Sequence, residues 1–368
     1  MSGSGDSRLL KILHIDPEKN WGGGEAQVLG LLTYLAGRGH RNELLTAPDG
    51  ALFNRCRNLD VRLRSFSMRN DLDLRGVPAL RRLIRVESYD IVHFHTKRAH
   101  ALSLWLTRAG NRPKFVVTRR MDYPERRGWY TNFLYNQRVD GVVAISQAIG
   151  DLLEQAGVEA RKIRRIPSGI EPQRFEACSS RRAESKDATV IGCLAGLDER
   201  KGHHFLLKAA VLLKAEGLDL RYRIAGDGPL RANLEQEVVR LGLSKEVRFL
   251  GFVADTAEFL RSVDLLVMPS LFEGLGVAVL EAMAARKAVV ATRVGGLIES
   301  VIDGVTGILV APKDARALAG AITKLVREPA LADEMGDRGR ERVIEHFTLR
   351  RMAMQNESYY YELLSGGT

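Results

Sequence analysis

Short apolar runs alternate with helical segments along the chain, and this pattern occurs twice. Runs rich in β-branched and aromatic residues predict strands, and the segments between them carry the spacing of amphipathic helices. This alternation is typical of parallel sheets with helices on both faces, because parallel strands need crossover connections. The predicted strands lie at 10–15, 43–46, 61–65, 91–95, 115–118, 142–145 and 163–166, and then at 190–194, 222–225, 247–250, 265–269, 289–292 and 308–310.

The sequence therefore predicts an α/β fold with two doubly wound Rossmann-like domains facing across a cleft, and 368 residues suit two such domains. The first domain is predicted at 8–170, a polar linker at 171–187 and the second domain at 188–346. A terminal helix at 347–368 has no strand after it, so it must pack on an existing domain, and packing back on the first is one option. Ligands of such sheets bind beyond the carboxyl ends of the strands, which predicts a site in the cleft.

The charge of the chain is concentrated in its first half. The whole chain has 55 Lys and Arg against 45 Asp and Glu, a net charge of +10. The first 184 residues contain 31 basic and 20 acidic residues, and the last 184 contain 24 and 25. The first half is thus expected to face an anionic partner, for which nucleic acid, an anionic membrane and phosphorylated substrates are the candidates.

The cysteines and the N-terminus indicate a cytoplasmic protein. The three cysteines are widely spaced and form no Cys-x-x-Cys pair, which favours a reducing compartment. The first seven residues lack an apolar segment, so we interpret them as a flexible leader and not a secretory signal. No apolar run is long enough to span a bilayer, so we expect membrane contact, if any, to be peripheral at the inner face of the cytoplasmic membrane.

Three glycines follow the first strand and directly precede a helix: Gly22, Gly23 and Gly24. Glycines allow the backbone to approach a ligand closely, and a helix N-terminus offers N–H groups to an anion. The dinucleotide fingerprint is not met, because Gln27 stands at the third glycine position and no acidic residue ends the second strand. A nicotinamide enzyme is therefore disfavoured, which leaves phosphate contact or a merely tight turn.

A loop in the second half carries two carboxylates and two glycines. Glu273, Gly274 and Gly276 lie between a strand and a helix that carries Glu281. The glycine N–H groups suit a diphosphate, and the carboxylates can accept hydrogen bonds from sugar and ribose hydroxyls. Glu273 could instead stabilise developing positive charge. The alternative is structural, with Glu273 capping the helix and Glu281 in solvent.

Arg200 and Lys201 follow the first strand of the second half. Two cations beyond a parallel strand can neutralise phosphate charge. The alternative is a solvated surface loop.

Histidines and aspartates in the first half raise the possibility of a metal site. His93 and His95 lie two apart at a strand end and share one sheet face, and His100 follows them. We expect no metal, because no Cys or acidic partner stands at a ligand spacing. We expect instead that one histidine at the end of this strand contacts the substrate in the cleft. Asp71 and Asp73 precede a helix and are expected to cap it.

The segment 97–138 combines cations with aromatic residues. Lys97, Arg119 and Arg120 are candidates for binding an anionic acceptor. The combination suits a membrane interface or a lipid-linked acceptor, although nucleic-acid binders also use it and some of these rings can be core residues. The interleaved aromatic residues are Tyr123, Trp129, Tyr130, Phe133 and Tyr135.

Taken together, these motifs resemble the GT-B glycosyltransferases and, within them, glycosyltransferase family 4. The likeness covers nearly the whole chain and is densest in the second half, where Glu273 and Glu281 match the family's Glu-x7-Glu motif. Further segments that resemble family signatures are the triple glycine, Asp90-Ile-Val-His-Phe-His95, Ser168-Gly169-Ile170-Glu171, Gly226-Asp227-Gly228-Pro229, Phe249-Leu250-Gly251-Phe252 and Gly295-Gly296-x-x-Glu299.

The resemblance implies a retaining enzyme that takes a sugar from a nucleotide diphosphate sugar, most often a UDP-sugar. It implies a donor held mainly by the second domain, an acceptor held mainly by the first, and a front-face mechanism that needs no bound metal. By this resemblance His95 lies near the transferred sugar, Glu273 contacts the donor sugar and Glu281 the ribose. The remaining implied donor contacts are Lys201 at the diphosphate, Gly251 near the base, Gly22, Gly23 and Gly24 facing the diphosphate, and Gly274, Leu275 and Gly276.

The sequence departs from the family pattern at three places. Ala195-Gly196-Leu197 stands where the family usually has Gly-Arg-Leu, and we expect Arg200 to replace the missing arginine. Arg286-Lys287-Ala288 replaces a common Gly-x-Pro, for which we have no functional account. Ser168 and Glu171 replace the usual Asn and Asp at the interdomain turn.

The expected acceptor is an envelope glycan, a lipopolysaccharide core or a lipid-linked sugar, reached by peripheral contact with an anionic membrane. Another GT-B enzyme, such as a sugar-nucleotide epimerase or a soluble-acceptor synthase, is one alternative. A non-catalytic nucleic-acid-binding protein is the other. We expect no nucleic-acid partner, because an acidic, glycine-bounded loop has no use on a phosphate backbone.

Overall fold

The computed structural model describes residues 8–70, 73–106, 113–121, 125–178 and 188–366. The chain divides into two compact units. Unit 1 comprises Met1–Gly169 and Leu349–Thr368, and unit 2 comprises Ile170–Thr348. The predicted leader, Asp71, Tyr123 and residues 179–187 of the predicted linker lie outside the described residues.

Unit 1 contains a parallel sheet of seven strands in its described part. The strands are β1 (Lys11–Asp16), β2 (Arg41–Thr46), β3 (Val61–Ser65), β4 (Ile91–Phe94), β5 (Lys114–Arg119), β6 (Gly141–Ala144) and β7 (Ile163–Arg165). Their order is β3-β2-β1-β4-β5-β6-β7, so the direction of strand addition reverses between β1 and β4. The central strands are buried on both faces, as expected for a sheet covered by helices.

Helices connect these strands and cover the sheet. The first helix buries Val28, Leu31, Leu32 and Leu35, which recur at the spacing of one helix face. The helices are α1 (Gly23–Gly37), α2 (Ala51–Cys56), α3 (Val77–Glu87), α4 (Lys97–Ala101), α5 (Trp129–Thr131) and α6 (Gln147–Gln155), with a π-helical segment at Asn132–Gln137 and 3-10 segments at Leu102–Trp105 and Ala160–Lys162.

Unit 2 repeats the same plan with six strands in its described part. These are β8 (Thr189–Leu194), β9 (Leu220–Ala225), β10 (Val247–Gly251), β11 (Leu265–Met268), β12 (Ala288–Thr292) and β13 (Ile308–Val310), in the order β10-β9-β8-β11-β12-β13. The helices are α7 (His203–Ala215), α8 (Arg231–Arg240), α9 (Thr256–Arg261), α10 (Val277–Ala284), α11 (Leu297–Ser300), α12 (Ala315–Arg327) and α13 (Pro329–His346). The prediction of two doubly wound, Rossmann-like parallel sheets is confirmed.

The predicted linker begins with ordered structure. Pro172–Cys178 is a 3-10 helix in which Phe175 is completely buried. It packs against α9 and α10 of unit 2. This segment therefore packs on unit 2 through its buried residues Pro172, Phe175 and Cys178.

The final helix, α14 (Leu349–Ser365), belongs to unit 1 although it follows unit 2 in the chain. It packs on α1 so closely that a Cβ at Gly30 would lie 2.6 Å from Leu349 Cδ2. Glu357 accepts hydrogen bonds from Tyr34 on α1, at 2.8 Å, and from Arg38 directly after it, at 3.2 Å, and it contacts His40 Nε2 at 2.8 Å. Both apolar packing and a polar cluster thus attach α14 to unit 1.

Candidate functional site

Two charged side chains meet beyond the carboxyl ends of the central strands of unit 2. Lys201 lies in a 3-10 segment, Glu199–Lys201, after β8, and Glu273 lies in the loop after β11. Because β8 and β11 are neighbours, the loops that follow them lie side by side. The Nζ of Lys201 donates to Glu273 Oε2 at 2.6 Å, and both side chains are largely buried. The structure therefore brings together two residues from separate sequence motifs.

Backbone hydrogen bonds join the same two loops. The N–H groups of Leu271 and Phe272 donate to the carbonyl oxygen of Arg200 at 2.6 and 3.2 Å. Ser270 Oγ donates to Glu273 Oε2 at 3.3 Å. The position of the Glu273 carboxylate is therefore fixed by its own loop and by the loop of Lys201.

A glycine pair supports the Glu273 loop from the other side. Gly295 has φ +46°, and a Cβ there would lie 2.1 Å from the carbonyl oxygen of Glu273. The N–H of Gly296 donates to that same oxygen at 3.0 Å. A Cβ at Gly296 would lie 2.2 Å from the carbonyl oxygen of Gly274. The absence of side chains at Gly295 and Gly296 thus allows the backbone of this segment to contact the backbone of the Glu273 loop directly.

Helix α10 starts at the end of this loop. Gly276 precedes it with φ +81°, and a Cβ there would lie 2.5 Å from Leu297 Cδ2, so the position requires glycine. Leu275 is buried and anchors the loop between Gly274 and Gly276. The first N–H groups of a helix have no intrahelical partner and carry the positive end of the helix dipole. An anion is the natural ligand of such a position.

Glu281 is the fifth residue of α10, about one turn after its start, and is mostly buried. Burial raises the pKa of Glu281 to about 7, and the positive charge of Arg174 in the Pro172–Cys178 segment partly opposes this rise. Glu281 is therefore a mostly buried carboxyl that can accept or donate hydrogen bonds near neutral pH, and it is not a solvated surface residue.

Two other predicted donor contacts lie at loops of unit 2. Arg200 is engaged by its neighbour Asp198, with Nη2 to Oδ2 at 2.7 Å and Nε to Oδ1 at 3.2 Å. Gly251 ends β10 with φ +71°, and a Cβ there would lie 3.2 Å from Arg231 Nη1. Arg200 must therefore rearrange before it can reach a phosphate, whereas Gly251 already presents bare backbone.

In unit 1 the triple glycine forms the start of α1, which begins at Gly23. A Cβ at Gly24 would lie 3.5 Å from Arg120 Cδ, so the Arg120 side chain passes beside this loop. The Nε and Nη1 atoms of Arg120 are buried and have no hydrogen-bond partner among the described residues. Burial lowers the pKa of Arg120, while the charges of Asp16 and Glu25 oppose that change. Burial, with a contribution from Glu25, raises the pKa of Asp16 to about 7.

Three buried histidines lie next to Arg120 on the unit 1 sheet. His14 on β1 is in register with His93 on β4, and His95 follows β4 on the same face. One ring nitrogen of each lies within 4.8 Å of the others. His93 contacts Tyr360 Oη at 2.6 Å through Nδ1 and Thr118 Oγ1 at 2.7 Å through Nε2.

His14 completes the cluster and was missed in the sequence. Its Nδ1 lies 3.0 Å from His95 Nε2, and its Nε2 lies 3.4 Å from Asn42 Oδ1. The three rings therefore use five of their six nitrogens in hydrogen bonds, as a polar network does. In the sequence His14 stands between two apolar residues of a predicted strand. A polar residue at such a position is the signal that could have predicted a buried functional histidine.

The other two predicted acceptor cations converge on one carboxylate. Lys97 Nζ lies 3.3 Å from Glu125 Oε1, and Arg119 Nη2 lies 3.0 Å from the same atom. Lys97 is exposed, whereas Arg119 is buried at the end of β5. Lys97 and Arg119 thus form a separate group from Arg120.

Aromatic residues after Glu125 lie on the surface of unit 1. Trp129 is 80% exposed, and Tyr130 packs edge-on against it with ring centroids 6.0 Å apart. Phe133 is also exposed, while Tyr135 is a core residue. We call Trp129, Tyr130 and Phe133 the aromatic patch. Exposed apolar side chains that form a contiguous patch mark surfaces that contact a protein, a ligand or a membrane.

The net charge follows the two units. Unit 1 contains 30 basic and 19 acidic residues, whereas unit 2 contains 25 and 26. In the described part of the chain every helix is too short or too polar to cross a membrane.

Comparison with known proteins places both units in one class of enzyme. The model "Glycosyltransferase Family 4" matches residues 21–174, and the model "Glycosyl transferases group 1" matches residues 176–342. The lipopolysaccharide core biosynthesis glycosyltransferase LpsE of Rhizobium meliloti is 30% identical over 342 residues, which cover 92% of this chain and 95% of LpsE. The chain belongs to glycosyltransferase family 4.

Another relative agrees with this assignment, and solved structures share the fold. The lipopolysaccharide core biosynthesis mannosyltransferase LpcC of Rhizobium leguminosarum is 32% identical over 64% of this chain and 68% of its own length. A Rickettsia africae glycosyltransferase superposes with a TM-score of 0.84 at 23% identity, over 97% of this chain and 99% of its own. Anabaena HepE, solved in complex with UDP-glucose, superposes with a TM-score of 0.81 at 24% identity, over 97% and 100%. This family 4 glycosyltransferase thus has the GT-B fold.

Proposed function

We propose that this glycosyltransferase transfers a sugar from a UDP-sugar to an envelope glycan acceptor, of the lipopolysaccharide-core or lipid-linked type, with retention of configuration. The observation that carries the proposal is the Lys201–Glu273 pair, which stands beside the start of α10 in unit 2. A cation, a carboxylate and a helix N-terminus at one loop are the groups that a nucleotide diphosphate sugar requires.

Each of these groups has a separate task in the proposed donor site. Lys201 and the N–H groups at the start of α10 neutralise the diphosphate, which is the leaving group of the transfer. Lys201 has three N–H donors, so it can bind a phosphate oxygen while it keeps its bond to Glu273. Glu273 accepts hydrogen bonds from hydroxyls of the transferred sugar. Because the pair already exists, little reorganisation is needed when the donor binds.

Glu281 is proposed to bind the ribose. A carboxylate can accept hydrogen bonds from both hydroxyls of a ribose diol, and the buried position of Glu281 strengthens such bonds. The bare backbone of Gly251 is proposed to lie near the base, because a residue without a side chain leaves room for a flat ring.

The acceptor is proposed to bind unit 1. The surplus of basic residues lies there, and Arg120 has two buried N–H groups without a described partner. Lys97 supplies an exposed cation nearby in sequence. The phosphates and carboxylates of envelope glycans are suitable partners for these groups. LpsE and LpcC, whose names assign them to lipopolysaccharide core biosynthesis, support an acceptor of this class.

The aromatic patch favours a lipid-linked acceptor over a soluble one. Tryptophan and tyrosine side chains are enriched at membrane interfaces, where one end of the ring is apolar and the other is hydrated. Their position on the basic unit is consistent with peripheral contact with an anionic leaflet. A soluble-acceptor synthase has no need for such a patch.

The transfer is proposed to need no metal. Lys201 and the α10 N-terminus can neutralise the diphosphate, and in a front-face mechanism the leaving phosphate helps to deprotonate the acceptor hydroxyl. Turnover in the presence of EDTA should therefore equal turnover without it. Loss of activity with EDTA that Mg²⁺ restores would contradict this part of the proposal.

A screen of nucleotide sugars tests the donor assignment. A ligand that binds only the folded state raises the melting temperature with its occupancy, so the true donor should stabilise the protein at micromolar to millimolar concentration. We expect UDP-sugars to do so and Glu273→Gln to lower transfer by about a hundredfold or more, as the loss of one key polar contact does. Glu258→Gln, an exposed change on α9, is the matched control. Full transfer in Glu273→Gln would refute its role.

A further inference from the structure

A line of three polar side chains crosses the interior of unit 1 from β2 to the end of β4. Asn42 lies on β2, His14 on the neighbouring β1 and His95 directly after β4, and all three are buried. His14 contacts Asn42 on one side and His95 on the other. A neutral imidazole has one donor and one acceptor nitrogen, so each contact constrains the next.

The direction of these hydrogen bonds follows from Asn42. Its Nδ2 donates to the carbonyl oxygen of His40 at 3.0 Å, and a carbonyl can only accept. The Oδ1 of Asn42 therefore faces His14, and it can only accept the hydrogen of His14 Nε2. His14 Nδ1 then carries a lone pair and must accept from His95 Nε2, 3.0 Å away.

The remaining nitrogen of His95 is thereby fixed as an acceptor. Its Nδ1 is buried and has no hydrogen-bond partner within the described part of the chain. His95 and Arg120 both line a cavity of about 20 Å³, and the buried Nε and Nη1 of Arg120 are donors that also lack a described partner. An acceptor and donors without described partners thus border one small cavity, whose accessible lining is mostly apolar.

The ionisation state of the histidines supports this direction. Burial lowers the pKa of His14 to about 4 and that of His95 well below its usual value, and the charge of Arg120 lowers the pKa of His95 further. Both rings are therefore neutral near pH 7, as the alternation of donors and acceptors requires.

We propose that Asn42 and His14 are positioning residues that fix the Nε2–H tautomer of His95, and that His95 Nδ1 and Arg120 together hold one hydroxyl group. A hydroxyl accepts from the guanidinium and donates to the lone pair on Nδ1, whereas a carboxylate has no hydrogen for Nδ1. The hydroxyl comes from a water or from a substrate sugar. The sugar alternative rests on the proposed function, but the tautomer does not.

The proposal makes the cluster unsuitable for a metal. An ion bound to all three rings would have to replace existing hydrogen bonds of His14 and His93, since both ring nitrogens of each are already engaged. Metal binding and the proposed tautomer therefore exclude each other at His95 Nε2.

The tautomer can be read from nitrogen NMR of the full chain labelled with 15N-histidine, without substrate. The His95 signals are assigned by their loss in His95→Gln. We expect Nε2 to appear protonated and Nδ1 unprotonated from pH 6 to pH 8. A protonated Nδ1, or a stoichiometric shift of the His95 signals on addition of Zn²⁺ alone, would overturn the proposal.

Two variants of Asn42 separate positioning from mere packing. Asn42→Asp keeps an oxygen acceptor toward His14 and should keep the single His95 tautomer. Asn42→Leu has similar size and no acceptor, so His95 should give a mixture of both tautomers. If Asn42→Leu keeps the single tautomer while it remains folded by circular dichroism, Asn42 does not position His95. A mixture in Asn42→Asp would likewise contradict the proposal.

The source of the hydroxyl is tested with UDP and UDP-glucose as probes. A shift of the His95 Nδ1 signal with UDP-glucose but not with UDP assigns the hydroxyl to the sugar. An Nδ1 signal that is already hydrogen-bonded in the free protein, and unchanged by both probes, assigns it to water. A free, unbonded Nδ1 in all three states would refute the hydroxyl site. None of these results depends on turnover, so failure of the proposed function remains separately detectable.

Discussion

Replacement of Gly295 by alanine should disable the donor site through the backbone of Glu273. The Cβ of the new residue would lie 2.1 Å from the Glu273 carbonyl oxygen, whereas ordinary contact begins at 3.4 Å. The oxygen must therefore move by about 1 Å or more, and a displacement of that size at a catalytic group can cost about a hundredfold in rate. It also weakens the hydrogen bond from Gly296, worth about 1 kcal/mol.

A second contribution comes from backbone conformation and can be measured separately. Gly295 has φ +46°, and an alanine in the left-handed region costs about 1–2 kcal/mol by itself. Gly304 has φ +74° in another loop of unit 2, and a Cβ there would have no atom within 4 Å. Gly304→Ala therefore measures the conformational cost without the clash.

The assay combines thermal unfolding with transfer kinetics for both variants. A loss of 1 kcal/mol lowers the melting temperature of a unit of this size by about 2–4 °C. Gly304→Ala should lose a few degrees and keep full transfer, while Gly295→Ala should lose more and retain about 1% of transfer or less. If both variants have the same melting temperature and Gly295→Ala keeps full transfer activity, the inference that Gly295 supports the Glu273 loop is wrong.

Three further changes probe the remaining parts of the molecule. Because Glu281 has a pKa raised to about 7 in the folded state, the folded protein binds this proton more tightly, and this group's contribution to stability falls as pH rises from about 4.5 to 7. UDP affinity should weaken as pH falls through the same range, because the carboxylate that binds the ribose is lost. Calorimetry of Glu281→Gln should show neither pH effect. If Glu281→Gln keeps the pH dependence of the unaltered protein, Glu281 is not the responsible group. Arg200→Ala should lower the affinity for UDP severalfold if the guanidinium leaves Asp198 and binds the phosphates. If the variant binds UDP as tightly as the unaltered protein, Arg200 does not replace the missing family arginine. The double variant Trp129→Ala, Tyr130→Ala should sediment less with anionic liposomes at low salt. Phe252→Ala, which changes an exposed aromatic residue of unit 2, should sediment normally. Equal binding by all variants would show that the aromatic patch does not contact the membrane.

The strand pattern was readable from sequence because buried parallel strands are nearly continuous apolar runs. All thirteen predicted strands exist, with ends that differ by at most two residues. Short helices such as α2 and α9 are harder to read from the sequence, because six residues give too few turns to show a helical period. The terminal helix predicted at 347–368 exists as α14, and it belongs to unit 1.

The sequence predicted where the candidate site lies better than it predicted which side chains contact each other there. Lys201 and Glu273 were predicted as separate donor contacts, and their mutual hydrogen bond depends on the adjacency of β8 and β11, which sequence spacing does not reveal. Arg119 was predicted to bind an acceptor, yet the structure buries it against Glu125, a residue with no distinguishing motif. The roles assigned to these residues remain predictions.

The place of α14 has a consequence for the order in which the chain can fold as it is synthesised. Unit 2 is complete at residue 348, where Ile170 and Thr348 form a bridge and the N–H of Ile170 donates to Phe347 O at 2.8 Å. Unit 1, although most of it is translated before unit 2, lacks α14, with its buried Tyr360 and its packing on α1, until residues 349–365 have been made. The unit made first is therefore the unit finished last, and a chain truncated before residue 349 should contain a folded unit 2 beside an unfinished unit 1.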